Sequence, residues 1–312
     1  MKFNKIISIG DLHGDFKAFT KVLLMCGLID KSGYWSGKDA YLIQVGDTLD
    51  GKRPGVTIDP EFKKESGEVE IMKYILELDS QAKKRGGRVI SLLGNHELYP
   101  HYLQNDKNFI NDFVKKTDLN KFKKVYKMDR MKFLRPGEIG GSLMGRTRPL
   151  ILQLGEFIFI HGSVTDKMIA FNLNGSGKVD IDKINKETSA WLQGLGKIPK
   201  YLEEMDDNNP LFSREYSESK TFNKTECKKI ETQLSFFDNA NYIVMGHSRF
   251  KDIHSACNKM LIRTDVSLSR AFGGKVNSKK YQVLEILQFS NQPPEISIIS
   301  RIPGGEVLKV PI

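Results

Sequence analysis

Cysteine is scarce. The 312 residues include only Cys26, Cys227 and Cys257, with no C-x-x-C pair and no regular spacing. That excludes a cysteine-built zinc module and a dense disulfide framework, and makes reduced thiols in a cytoplasmic, reducing compartment the expectation. Long apolar runs are missing as well: none approaches the roughly 20 residues that span a bilayer. The opening MKFNKIISIGDLHGD is basic and then apolar, but Asp11 and Asp15 interrupt it and no small-residue cleavage site follows, so it reads as a first strand. Acidic residues are outnumbered, 38 against 48 Lys and Arg, for a net charge of +10. The excess is scattered in small groups, at 63–64, 83–85, 115–124, 228–229 and 279–280, and none is interleaved with stacking aromatics. Solvated lysine-rich faces explain it, and neither nucleic acid nor a membrane is the expected partner.

Several apolar runs rich in Ile and Val are present. KIISIG leads to Asp11, AYLIQVG to Asp47, RVISLLG to Asn95, EFIFI to His161 and NYIVMG to His247. Five to seven such residues read as buried strands. Helical patterns lie between them, at 15–29 and 65–84, so strand and helix alternate over the first 95 residues and the class is α/β. Residues 99–147 are lysine-rich and helical in pattern, and 178–239 are helical again. From 259 onwards strands dominate: KMLIRTD, YQVLEILQF, EISIIS and EVLKV, with antiparallel pairing expected across the short turn SNQPP. We expect a single domain over 1–312 with a helical insertion at about 99–147.

Each of the five runs delivers a metal-ligand type at its carboxyl end. In open α/β sheets ligands bind beyond those ends, so residues distant in sequence can converge there. Asp11 and His13 are two apart, and an extended chain would turn both side chains the same way. Of the six histidines, His13, His96, His161 and His247 fall in these stretches, while His101 and His254 do not. Asp11, His13, Asp47, Asn95, His161 and His247 are too many donors for one tetrahedral ion. They imply two divalent ions bridged by a carboxylate, with Asp47 placed to be the bridge. Oxygen and nitrogen donors without thiolate suit Mn, Fe or Zn.

The set GDLHGD, GDTLD, GNHE, HG and GHS resembles, in order and spacing, the signatures of the calcineurin-like metallophosphoesterases. NNPLFSRE followed by IRTDVSLSRAF most resembles the phosphoprotein phosphatase branch, in particular the Shewanella-like protein phosphatases. The resemblance implies a metallophosphoesterase fold: a central β-sandwich flanked by helices. It implies Asp11, His13 and Asp47 around one ion, and Asp47, Asn95, His161 and His247 around the other. It implies His96 as general acid, Asp50 as the carboxylate orienting it, and Arg214 as a phosphate clamp. The family arginine that directly follows the second acid of GDxxD is replaced by Gly51. Either Arg53 reaches back to bind phosphate or that role is dispensed with. The implied activity is hydrolysis of phosphate monoesters, with a phosphorylated protein (Ser/Thr or Tyr) favoured over a dinucleoside tetraphosphate. A basic binding protein with a dead site is the remaining alternative, and Arg249, where nucleases carry a second histidine, argues against a nuclease.

Overall fold

The computed structural model describes residues 4–104, 106–216, 221–289 and 292–312. The strands are β1 (Lys5–Ile9), β2 (Tyr41–Gln44), β3 (Arg88–Ser91), β4 (Ile151–Leu154), β5 (Phe157–Ile160), β6 (Tyr242–Met245), β7 (His254–Ala256), β8 (Leu261–Arg263), β9 (Tyr281–Leu287), β10 (Glu295–Arg301) and β11 (Val307–Pro311). They form two sheets, in the orders β11-β10-β9-β1-β2-β3 and β4-β5-β6-β8-β7. β1, β2 and β3 run parallel, as do β5, β6 and β8. β9, β10 and β11 pair antiparallel, as the sequence suggested. Ser290 and Asn291 of the SNQPP turn lie outside the described residues.

The period of two along a strand explains the layers. Ile6, Tyr41 and Ile43 point between the sheets, where they meet Phe157, Phe159, Val244 and Ile262. Their neighbours Ile7, Ile9 and Leu42 point the other way, onto helices. Central strands covered on both faces must be apolar throughout, which is why those runs do not alternate.

The helices are α1 (Phe16–Met25), α2 (Pro60–Lys64), α3 (Glu68–Lys83), α4 (Asn95–Tyr102), α5 (Lys107–Phe113), α6 (Lys116–Tyr126), α7 (Arg130–Phe133), α8 (Ile139–Thr147), α9 (Asp166–Phe171), α10 (Ile181–Leu192) and α11 (Lys224–Ser235). α1 and α3 cover the outer face of the first sheet through Phe19, Val22, Ile71 and Ile75. α8, α10 and α11 cover the second through Met144, Ile184, Trp191 and Leu234. The helical stretch after β3 therefore begins at Asn95 itself, earlier than the pattern indicated.

Cys227 in α11 and Cys257 beyond β7 form a disulfide, which corrects the expectation of three free thiols; Cys26 is free and buried. The pair is 30 residues apart in sequence and meets only because α11 packs on the β7–β8 hairpin, an adjacency that spacing does not reveal. The free-thiol ground for a reducing compartment goes with it. Among the described residues no helix is long and apolar enough to cross a membrane.

Candidate active site

The carboxyl ends of β1, β2, β3, β5 and β6 bring Asp11, Asp47, Asn95, His161 and His247 together, all at most 7% exposed. The chain past Asp11 is not extended. The Leu12 and His13 amides both donate to the Asp47 carbonyl (2.9 and 3.0 Å), and His13 turns into the left-handed region at φ 40°. Asp47, Asp50 and His247 are left-handed too, at φ 57°, 66° and 69°. Such backbone costs roughly 1–3 kcal/mol per residue and persists where surrounding bonds over-determine it. Gly46 and Gly94 allow the close approach: a Cβ on Gly46 would lie 2.8 Å from Gly94 Cα and from His161 Nδ1.

A buried carboxylate braces this turn. Glu97 accepts from the amides of Asp47 (2.9 Å), Thr48 (2.8 Å) and Gly94 (2.7 Å) and from the Thr48 hydroxyl. Arg148 Nη1 in turn donates to Glu97 (3.1 Å) and Thr48 Oγ1 (2.9 Å).

The imidazoles are fixed by what lies behind them. His13 Nδ1 faces the Leu49 carbonyl at 2.9 Å, His161 Nδ1 the Val45 carbonyl at 2.8 Å, and His247 Nε2 the Phe212 carbonyl at 3.2 Å. A carbonyl only accepts, so each of these nitrogens carries the proton, and the other nitrogen presents a lone pair to the site. Burial, aided by Arg53, holds His13 well below the usual histidine range, and burial with His161 does the same to His247. For His161 burial is outweighed by the Asp47 carboxylate, and its pKa is raised. His96 differs. Its Nδ1 lies 2.7 Å from Asp50 Oδ2, while its Nε2 is 3.7 Å from Asp47 Oδ2. Asp50 Oδ1 accepts from Arg130 Nη2 at 2.7 Å, and Arg130 Nε donates to Glu68 at 2.6 Å, all fully buried.

Nitrogen and oxygen donors thus converge around Asn95 and Asp47. Asn95 Oδ1 is 2.9 Å from His161 Nε2 and 3.1 Å from His247 Nδ1. Amide orientation is inferred from partners. Turned over, Asn95 would donate to those nitrogens and to Asp47; with oxygen inward, only a cation makes the arrangement favourable. Asp47, His161 and His247 can offer ligand atoms within 4.8 Å of one another, and so can His13, Asp47 and His96, so Asp47 belongs to both groups. The donors fit a pair of divalent ions, more cleanly on the His161 side. On the other side Arg53 Nη2 stands over the His13 ring, 2.7 Å from Nε2 and 2.8 Å from Nδ1. Asp11 is held there by the His247 amide, which donates to its Oδ1 at 3.3 Å. Burial, then Asp265 and Asp47, raise its pKa well above the usual range.

A cavity of about 400 Å³ opens over this cluster, lined by Arg53, Arg214 and Arg249 together with His96, Tyr99, Phe113, Phe272 and Asp265. Arg53 lies at this cavity, with its guanidinium over Phe272 (4.7 Å) and donating to the Asp50 carbonyl (2.8 Å). Arg214 Nη1 donates to Ser248 Oγ at 2.9 Å. His101 packs on Trp191 and His254 on Phe250, and neither lines the cavity.

Sequence reasoning missed Asp265. It is 1% exposed, sits at the cavity, and its Oδ2 has no hydrogen-bond partner among the described residues. The signal was available: KMLIRTD is a sixth apolar run ending in an acid, and it forms β8, the parallel neighbour of β6. An unpartnered buried carboxylate oxygen beside Asp11 and Asp47 is a further mark of a site built for positive charge. Arg130, Glu68 and Arg148 had no comparable local signal.

A model of the calcineurin-like phosphoesterase family matches residues 4–248. The chain is 26% identical to Shewanella-like protein phosphatase 2 of Arabidopsis thaliana, over 86% of this chain and 72% of that protein. It is 30% identical to Shewanella-like protein phosphatase 1 of Plasmodium berghei, over 88% and 70%. Among solved structures it resembles a cold-active protein-tyrosine phosphatase of a psychrophilic Shewanella species, with a TM-score of 0.70 and 20% identity over 99% of this chain and 80% of that one.

Proposed function

The chain belongs to the calcineurin-like phosphoesterase family and is a hydrolase of phosphate esters; on that premise we propose that it removes phosphate from monoesters on protein side chains, serine, threonine or tyrosine, at a pair of divalent metal ions. Asp11, His13 and Asp47 would hold one ion, and Asp47, Asn95, His161 and His247 the other; Mn, Fe or Zn suits these donors. When bound, such ions supply Lewis acidity and a water acidic enough to attack phosphorus near neutral pH.

The protein's own groups do the rest. Arg214 and Arg53, with Arg249 beside them, clamp the phosphoryl oxygens and offset charge that grows on them in the transition state. His96 gives its Nε2 proton to the departing oxygen, a contribution of typically about 10²–10⁴-fold. Asp50 holds the opposite nitrogen and Arg130 holds Asp50. The chain acts as one domain with an insertion at about 99–147, of which α5 stands over the site. Phe113 of α5 lines the cavity, and its carbonyl accepts from the Lys52 amide at 2.9 Å.

The observation that carries this reading is the division among the imidazoles. Three are tied to carbonyls by the nitrogen turned away from the site, and one is tied to a carboxylate. Metal analysis with turnover of p-nitrophenyl phosphate tests it, and two ions per chain with turnover is the expected result. Phosphopeptides against diadenosine tetraphosphate then decide the substrate class. Preference for the dinucleotide would move the protein to the rival hydrolase, and metal-free, inactive protein would leave only a binding role.

A further inference from the structure

A second cavity lies behind the first. It has a volume of about 310 Å³ and sits between α3, the start of β3 and the end of α8. One wall is apolar, with Met72, Ile75, Leu76 and Leu143; the rim and floor carry Lys83, Arg88, Arg146 and Arg148 against a single carboxylate, Asp79. Asp79 is already engaged, by Arg88 Nε at 2.9 Å and Lys83 Nζ at 2.7 Å. Arg146 is exposed and has no hydrogen-bond or ion-pair partner among the described residues. The size lies at the lower end of small-ligand sites, and an apolar wall with a few convergent polar groups is their usual make-up.

The floor connects the two cavities. Arg148 is 7% exposed, lines the rear cavity and donates through Nη1 to Glu97, the carboxylate that holds the amides of Asp47 and Gly94. One guanidinium therefore separates a cationic cavity from the turn that carries the shared acid.

We propose that the rear cavity binds a small organic anion, with its charged head at Arg146 and Arg148 and its apolar body against Leu76 and Leu143, and that occupancy is coupled to metal binding through Arg148, Glu97 and Asp47. The head group competes with Glu97 for Arg148. Drawing the guanidinium rearward removes a charge-assisted bond from Glu97 and loosens its hold on the Asp47 turn. The anion thus weakens metal binding, and by linkage metal weakens the anion by the same factor. The coupling rests on Asp47 as a metal ligand, as proposed above; the cavity itself does not.

Calorimetric titration with 1-naphthalenesulfonate tests this, because a sulfonate is not a phosphate ester and is not turned over. One molecule per chain is expected to bind saturably. Arg146→Glu and Leu76→Asp, both at the rim, should each weaken binding by about tenfold or more, while p-nitrophenyl phosphate turnover without the probe stays at the wild-type level. Manganese should weaken the probe several-fold. Absence of saturation up to about 5 mM, or unchanged affinity in both variants, overturns the site. Equal probe affinity with and without manganese overturns the coupling. Wild-type protein without turnover would instead count against the phosphatase reading and leave the metal-free titration intact.

Discussion

The imidazole at the end of β6 and the one at the start of α4 line the same cavity, and the one at the end of β5 is buried against Asn95 beside it, yet the surroundings treat the three differently. His161 and His247 are backed by carbonyls, as is His13 across the cavity; His96 is backed by the Asp50 carboxylate. A carbonyl fixes a neutral tautomer and leaves a lone pair forward, which suits holding a cation. A carboxylate favours a ring that carries and passes on a proton. Residue type alone makes no such distinction; the group behind each ring does.

Removing a carbonyl-backed ring should have the largest effect. His161→Ala is expected to lose metal and turnover together, read by metal analysis and p-nitrophenyl phosphate hydrolysis; retained metal would erase the distinction. His96→Asn should lose about 10²–10⁴-fold in kcat while keeping its metal content, and a fall in metal content would place His96 among the ligands. Next come the arginines. Arg214→Ala and Arg53→Ala should each raise KM about tenfold with smaller effects on kcat, the pattern of lost ground-state binding; an unchanged KM in Arg53→Ala would show that Gly51 marks a role dispensed with.

The smallest effect lies in the network behind Asp50. Burial, then the Glu68 carboxylate, push Asp118 up to about 8, against the pull of Lys115. A folded pKa above the unfolded value of about 3.9 means that the stability from this carboxyl is present in acid and is lost as pH rises through about 8. Asp118→Asn, uncharged throughout, should therefore gain on the wild type between about pH 5 and 8, by roughly 2–4 °C in Tm. A difference that stays constant across that range would contradict the buried charge.

The parts of the site that were legible in the sequence are local in character. Apolar runs ending in Asp11, Asp47, Asn95, His161 and His247 declare both a strand and what stands at its end, and hydrogen bonds and close contacts bring the five together in the structure. Asp265 obeys the same rule and could have been read from KMLIRTD. The turn at His13 was not legible, because it depends on amides donating to a carbonyl at Asp47 on another strand. Arg130 lies 80 residues from Asp50 and Arg148 lies 51 from Glu97, each in a lysine- and arginine-rich stretch where one more cation carries no signal. The Cys227–Cys257 disulfide was hidden for the same reason: its partners are neighbours only after α11 has packed.

Long-range proton–nitrogen NMR on the metal-free protein at alkaline pH reads the tautomer of each histidine directly. The expected result is a proton on Nδ1 of His13 and His161 and on Nε2 of His247, each matching its carbonyl. The opposite tautomer at His161 and His247 would turn their lone pairs away from the cavity and contradict the division of roles.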